Sequence, residues 1–367
     1  MKILSVFGTR PEAIKMCPVI KELELRDNVE SIVCLTGQHE EMLSQVVELF
    51  HITASYNLHI MKKNQDLSTI TSEILTRLNE IMLLENPDMV LVHGDTSSSF
   101  AAALSAFYHH IRIGHVEAGL RTYNMQSPYP EEFNRQAVDL ITDLYFAPTE
   151  RAKRQLLAEG KKTEQIFVTG NTVIDALKTT VTDNYTNELL EWIGDSKCIL
   201  VTAHRRENIG LPMERMFRAI LRIVNDNPEV KVIYPIHRNP KVREIAKKVF
   251  RDNDKIRLIE PLDVYDFHNL LARCYLVLTD SGGVQEEAPS LGKPVLVMRN
   301  TTERPEGVEA GTLKLVGTDE ENIYRETLEL LKDRQKYQNM SNIHNPYGDG
   351  FAAKRIVEII EDYFERE

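Results

Sequence analysis

The sequence predicts an α/β protein made of two Rossmann-like, doubly wound parallel-sheet domains, and three observations carry that prediction. Short β-branched apolar runs alternate with amphipathic stretches along the whole chain. That is the pattern of buried parallel strands covered by helices on both faces. The two halves also begin alike. Residues 2–7 lead into Gly8-Thr9-Arg10-Pro11-Glu12, and residues 197–202 lead into Ala203-His204-Arg205-Arg206-Glu207, each a first strand followed by a basic turn. Finally, 367 residues exceed one comfortable core, which makes two domains the default.

The elements follow in order. In the first half strands are predicted at 3–7, 31–35, 89–93, 113–116 and 144–147, with an amphipathic helix over 68–84. In the second half strands are predicted at 199–202, 230–235, 256–259, 276–279, 295–298 and 313–316, with helices over 213–225 and 242–251. The division near Gly170-Asn171 gives an N-terminal domain over 1–169 and a C-terminal domain over 170–349. The turn-rich Asn345-Pro346-Tyr347-Gly348-Asp349-Gly350 then precedes a last amphipathic helix within 350–367, expected to pack back on the N-terminal domain.

Composition narrows the function classes. A chain 42% hydrophobic and 27% charged is ordinary for a soluble globular protein. The opening Met1-Lys2-Ile3-Leu4-Ser5-Val6-Phe7 turns polar too soon for a signal peptide, and no apolar run approaches a membrane span. Cys17, Cys34, Cys198 and Cys274 show no CxxC or Cys/His spacing and read as reduced core thiols. A cytoplasmic protein with no membrane partner is expected. A net charge of −11 argues against a nucleic-acid surface. Any anionic ligand must therefore be met by a local cluster of positive groups.

Three carboxylates stand just past strands or at helix starts: Asp95 in Gly94-Asp95-Thr96, Glu117 in His115-Val116-Glu117-Ala118-Gly119-Leu120-Arg121, and Glu131 in Pro130-Glu131-Glu132-Phe133-Asn134-Arg135. In an open α/β sheet the carboxyl ends of neighbouring strands converge on one crevice. Carboxylates crowded there shift one another's protonation, which suits acid/base chemistry. Blander roles remain open: Asp95 as a helix cap and Glu131 as an ordinary acidic residue in a first helical turn. Glu117, ahead of Ala-Gly, has no capping role to fill.

The phosphate signal is Thr279-Asp280-Ser281-Gly282-Gly283-Val284-Gln285-Glu286-Glu287, a strand ending in a Ser-Gly-Gly turn that opens a helix. Glycines let amides approach a phosphate, and the helix N-terminus adds partial positive charge. Glu287 falls one turn after Gly283, placed to accept ribose hydroxyls. Neither a Walker loop nor GxGxxG is present. Positive charge gathers at matching points: Arg10 and Lys15, His204 with Arg205 and Arg206, and Arg299 with Arg304. No His/Asp/Glu set has metal-ligand spacing.

Gly8-Thr9-Arg10-Pro11-Glu12-Ala13-Ile14-Lys15, the three carboxylate motifs, Thr202-Ala203-His204-Arg205-Arg206-Glu207-Asn208 and the Ser281-Gly282-Gly283 segment occur in order along nearly the whole chain. Together they resemble the non-hydrolysing UDP-N-acetylglucosamine 2-epimerases of bacteria. The resemblance implies a GT-B homodimer with two domains facing across a cleft, using no cofactor and no metal. It would interconvert UDP-GlcNAc and UDP-ManNAc through elimination of UDP to a 2-acetamidoglucal. It also implies roles: Asp95, Glu117, Glu131 and His204 catalytic; Arg10 and Lys15 on the substrate; Ser281, Gly282, Gly283 and Glu287 on diphosphate and ribose. Phe267 would pack near the uracil and Arg304 would serve the nucleotide end. Gln38, His39 and Arg205 would belong to a second, activating UDP-GlcNAc site. There the sequence departs from the family's pattern, with Glu41 where the pattern has Gln and Asn64 in place of Arg. An added carboxylate and a lost cation both weaken a diphosphate site. A GT-B glycosyltransferase, a hydrolysing epimerase and a nucleotide-sugar sensor remain as competing readings.

Overall fold

Among the described residues, 1–37, 40–62 and 65–366 of the computed structural model, every strand lies in one of two wholly parallel sheets. The chain divides into two compact units, Met1–Thr179 with Gly348–Glu367, and Thr180–Tyr347.

In the first unit the order is β1 (Lys2–Phe7), α1 (Arg10–Glu24), β2 (Glu30–Leu35), α2 (Glu40–Leu49), β3 (Tyr56–Asn57), α3 (Leu67–Glu85), β4 (Met89–His93) and α4 (Ser97–Tyr108). It continues with β5 (Arg112–Val116), α5 (Glu131–Ile141), β6 (Leu144–Ala147), α6 (Glu150–Ala158), β7 (Ile166–Val168) and α7 (Thr172–Thr180). The sheet runs β3-β2-β1-β4-β5-β6-β7. The winding direction reverses between β1 and β4, so the loops after these strands part there and leave a crevice. The central strand β4 is apolar without alternation because both its faces are covered; Met89, Val90, Leu91 and Val92 are all fully buried. Each such side chain contributes roughly 1.5–3 kcal/mol relative to exposure.

The second unit contains α8 (Glu188–Ile193), β8 (Lys197–Thr202), α9 (Leu211–Asp226), β9 (Val230–Pro235), α10 (Pro240–Phe250), β10 (Ile256–Ile259), α11 (Val264–Arg273) and β11 (Leu276–Thr279). It ends with α12 (Gly282–Ser290), β12 (Val295–Val297), α13 (Pro305–Ala310), β13 (Leu313–Leu315), α14 (Glu320–Lys332) and α15 (Arg334–Ser341). Its sheet, β10-β9-β8-β11-β12-β13, repeats the same winding with the reversal between β8 and β11.

Two strands escape the sequence pattern, β3 and β7. Both are edge strands of two and three residues, too short to show a period against their polar surroundings. The units part at Thr179/Thr180, beyond the expected 169/170, because α7 is held by the first unit. The Asp175 carboxylate of α7 accepts the amides of Ala352 and Ala353 at 3.2 and 2.9 Å. Those amides open the terminal helix α16 (Ala352–Glu365), whose first-turn donors would otherwise lack partners. Its apolar stripe Ala353, Ile356, Val357, Ile360 is buried, and Glu361 meets Arg26 at 3.0 Å. Among the described residues no helix is long and apolar enough to cross a membrane.

Candidate active site

Within the first unit the turns after β1, β4 and β5 and the start of α5 bring Lys15, His93, Asp95, Glu117 and Arg135 together. Lys15 Nζ is ion-paired with Glu117 Oε2, and the same oxygen accepts from Asn171 Nδ2 at 2.8 Å. His93 Nε2 lies 3.7 Å from it, buried and without a hydrogen-bond partner. Glu117 is a non-glycine residue at φ 67°. That left-handed backbone costs about 1–3 kcal/mol and persists only where the surroundings over-determine it.

The neighbouring carboxyls are pushed in opposite directions. For Glu117, burial opposes ionisation, but the Lys15 ammonium and His93 outweigh it and hold the carboxyl well below its usual range. For Asp95, burial raises the carboxyl above its usual range; Arg135, 2.6 Å away, opposes this while the charges of Glu117 and Glu131 add to it. Glu131 thus sits within electrostatic reach at the first position of α5. Arg10 occupies the first position of α1, half-buried, at the turn following β1.

The sign for stability follows from the direction. An ionised Asp95 whose folded-state value is raised destabilises the fold above that value, and the penalty vanishes as pH falls below the unfolded value. Asp95→Asn is therefore expected to raise stability by about 0.5–2 kcal/mol at neutral pH while removing activity, despite the lost pairing with Arg135. Thermal melts at pH 7 and pH 4 check this, the gain being larger at pH 7; a lower melting temperature at pH 7 contradicts it.

Behind this cluster lie polar residues that the sequence reading left unassigned. Glu12 is buried and accepts from Gly8 N at 3.1 Å, Thr9 N at 2.7 Å, Thr96 Oγ1 at 2.7 Å and Ser99 Oγ at 2.8 Å. It joins the Arg10 turn to the Asp95 turn. Asn134 Nδ2 donates to the Asp95 carbonyl at 2.9 Å. Glu132, fully buried, accepts the amides of Thr122 and Tyr123 at 3.0 and 2.8 Å, anchoring the loop ahead of Glu131. The only sequence signal for these residues was acids and amides at strand ends and in first helical turns.

In the second unit Asp280, fully buried, organises the switch point. Its carboxylate accepts from His204 N at 2.9 Å, Arg205 N at 2.9 Å and Asn208 Nδ2 at 3.0 Å. It thereby fastens the turn after β8 to the turn after β11. The His204 ring stacks on His237 at 5.5 Å. Burial chiefly, then His237 and Arg205, lower its proton affinity against the pull of Asp280. Ser281 caps α12 by position with no side-chain cap bond. A Cβ at residue 282 would stand 2.9 Å from Glu303 Oε1, so a side chain there would have to displace the Glu303 carboxylate. Glu287 sits next to Gly283 as its spacing required, with His268 Nε2 at 3.6 Å. Phe267 packs at the edge of the unit's core.

Two arginines carry ion pairs. Arg205 meets Glu303 at 2.7 Å, and Arg304 pairs with the buried Glu286. Glu303 is held down to about 2: burial opposes ionisation, but Arg299, Arg304 and Arg205 outweigh it. Gln38, His39 and Asn64 lie outside the described residues, as does the side chain of Glu41.

Two doubly wound units of this order define an α/β enzyme of the GT-B type, one unit carrying an acid/base cluster and the other a Ser-Gly-Gly helix start. The chain belongs to the UDP-N-acetylglucosamine 2-epimerase family, whose model matches residues 21–361. It is 60% identical over 358 residues to the UDP-N-acetylglucosamine 2-epimerase of Bacillus subtilis (strain 168), covering 98% of this chain and 94% of that one. The structure of UDP-GlcNAc 2-epimerase from Neisseria meningitidis bound to UDP-GlcNAc superposes with a TM-score of 0.89 at 48% identity, over 99% and 100% of the two chains. The Methanocaldococcus jannaschii UDP-GlcNAc 2-epimerase in complex with UDP-GlcNAc and UDP has a TM-score of 0.80 at 35% identity, over 98% and 99%.

Proposed function

We propose that this enzyme interconverts UDP-GlcNAc and UDP-ManNAc at C2 by a non-hydrolysing route. UDP leaves C1 as the C2 proton is taken by a carboxylate, giving a 2-acetamidoglucal. A proton then returns to C2 on the opposite face and the UDP oxygen adds back to C1. It would act as a cytoplasmic homodimer without a cofactor, supplying N-acetylmannosamine units for cell-surface polysaccharide. The two relatives with UDP-GlcNAc bound support the ligand.

The observation that carries the mechanism is the split between Glu117 and Asp95. Neighbouring acids whose environments push them apart are the ones that divide acid and base roles. The C2 hydrogen is not activated by a carbonyl, so the C1–O bond must largely break first, building positive charge on the ring. Glu117, a standing anion, suits that charge, and Asp95, pushed up, suits holding a proton. Glu131 would be the second proton-transfer carboxylate. Each positioned proton transfer is worth roughly 10²–10⁴-fold. Lys15 and Arg10 would steady the departing diphosphate from the first unit. In the second unit the amides opening α12 would bind the diphosphate, Glu287 the ribose, Phe267 the uracil and Arg304 the nucleotide end, with His204 supporting the sugar or diphosphate.

Incubation with UDP-GlcNAc in D₂O tests this by NMR. Deuterium at C2 with UDP-ManNAc accumulating and UDP scarce is expected. Quantitative UDP release would indicate hydrolysis or transfer, and no exchange would indicate a sensor. Because Glu41 and Asn64 depart from the activator pattern, activation by UDP-GlcNAc is expected to be weak or altered. Reaction from pure UDP-ManNAc should therefore start unaided; silence until UDP-GlcNAc is added would refute it.

A further inference from the structure

The motif His115-Val116-Glu117-Ala118-Gly119-Leu120-Arg121 contains more chemistry than Glu117 uses. His115 and Arg121, two residues before and four after Glu117, converge on one buried carboxylate, Asp139 of α5. His115 Nδ1 lies 2.6 Å from Asp139 Oδ1, and His115 Nε2 lies 2.8 Å from the Gly94 carbonyl. Both partners are acceptors, so both ring nitrogens donate, as only a protonated imidazole can. Arg121 Nη2 donates to Asp139 Oδ2 at 2.7 Å, and Gly119 N approaches the same oxygen at 3.3 Å. The Arg121 Nε and Nη2 groups also reach Glu159 at 2.7 Å. Asp139 and the His115 and Arg121 side chains are essentially fully buried. Burial opposes ionisation of Asp139, and the two cations overcome it, holding the carboxyl below its usual range.

This network brackets the strained residue. Glu117 at φ 67° and Gly119 at φ 87° form a left-handed turn whose two sides are tied to Asp139. Gly119 cannot be replaced, because a Cβ there would stand 2.6 Å from the Ala152 carbonyl. The same histidine grips the carbonyl of the residue before Asp95. The buried residues of α5 are Glu132, Asn134, Val138 and Asp139, three of them polar.

We propose that Asp139, acting through His115 and Arg121, is a positioning residue that sets where Glu117 and Asp95 stand relative to each other. The proposal rests on the epimerase reading and adds to it a residue that touches neither substrate nor reacting atoms. A carboxylate displaced by an ångström from its productive geometry costs roughly 100-fold in rate.

Asp139→Asn tests this well below the melting temperature, with folding checked by circular dichroism. The expected result is a kcat lowered roughly 100-fold, with KM and the UDP dissociation constant staying within about threefold of the unmutated values. An unchanged kcat would overturn the proposal, and so would kcat and UDP affinity falling together, since general loosening does that. If Asp139→Asn does not fold, His115→Asn, which cannot span Asp139 and the Gly94 carbonyl, decides by the same two readings. Absence of C2 exchange in the unmutated enzyme would instead overturn the epimerase reading.

Discussion

Glu117→Gln is expected to lower kcat by about 10³-fold while leaving UDP affinity nearly unchanged. The substitution is isosteric and keeps an acceptor for Asn171 and Lys15, so geometry is preserved while the charge disappears. What is lost is a carboxylate held ionised against burial by Lys15 and His93, facing the site where positive charge would build on the sugar ring. Stability should move opposite to Asp95→Asn. A carboxyl whose folded-state value is depressed contributes stability above its unfolded value and loses it as pH falls through the folded value. Removing it at pH 7 leaves Lys15 with a neutral partner and costs about 1–3 kcal/mol. Turnover by NMR, UDP titration calorimetry and a thermal melt measure the three effects. A variant retaining more than about a tenth of the turnover would take Glu117 out of the reacting centre.

Asp280→Asn is the second large effect, and it acts on the second unit. The buried carboxylate accepts two backbone amides and one side-chain amide from the His204–Asn208 turn. An asparagine amide group must turn its own N–H bonds toward at least one of those donors. Two charge-assisted bonds weakened or lost amount to roughly 3–5 kcal/mol. For a unit of this size that lowers Tm by roughly 6–20 °C. The Ser281-Gly282 turn and the His204-Arg205 turn, no longer tied together, should also lose UDP affinity by at least about tenfold. Calorimetry with and without UDP reads both. An unchanged Tm would show that the tether carries little of the unit's stability.

Much of the architecture was legible beforehand because buried parallel strands leave uninterrupted apolar runs. Met89–His93 and Leu276–Thr279, the strands beside the two reversal points, are of that kind. Tyr56–Asn57 and Ile166–Val168 were not legible, since at the sheet edge two or three residues suffice. In the site, Asp95 and Glu117 stood out by their place past strand ends and Lys15 by its place one turn into the first helix, and the structure brings them together. Asp139, Glu12 and Asp280 did not stand out. Each is an acid on a helix or at a strand end whose local sequence looks solvated, and each is buried by contacts made tens of residues away.

The sequence by itself determined the two doubly wound units, the strand-end turns and the residue types placed on them, because periodicity and glycine placement are local properties. The tertiary structure alone decided which charges meet. The pairing of Lys15 with Glu117 spans α1 and the turn after β5, and Asp139 on α5 gathers His115 from β5 and Arg121 from the segment that follows it. Whether a carboxyl is held ionised or pushed toward neutrality depends on burial and on the nearest opposite charge. Both are set by packing, which is why Glu117 and Asp95, alike in the sequence, part company only in the fold.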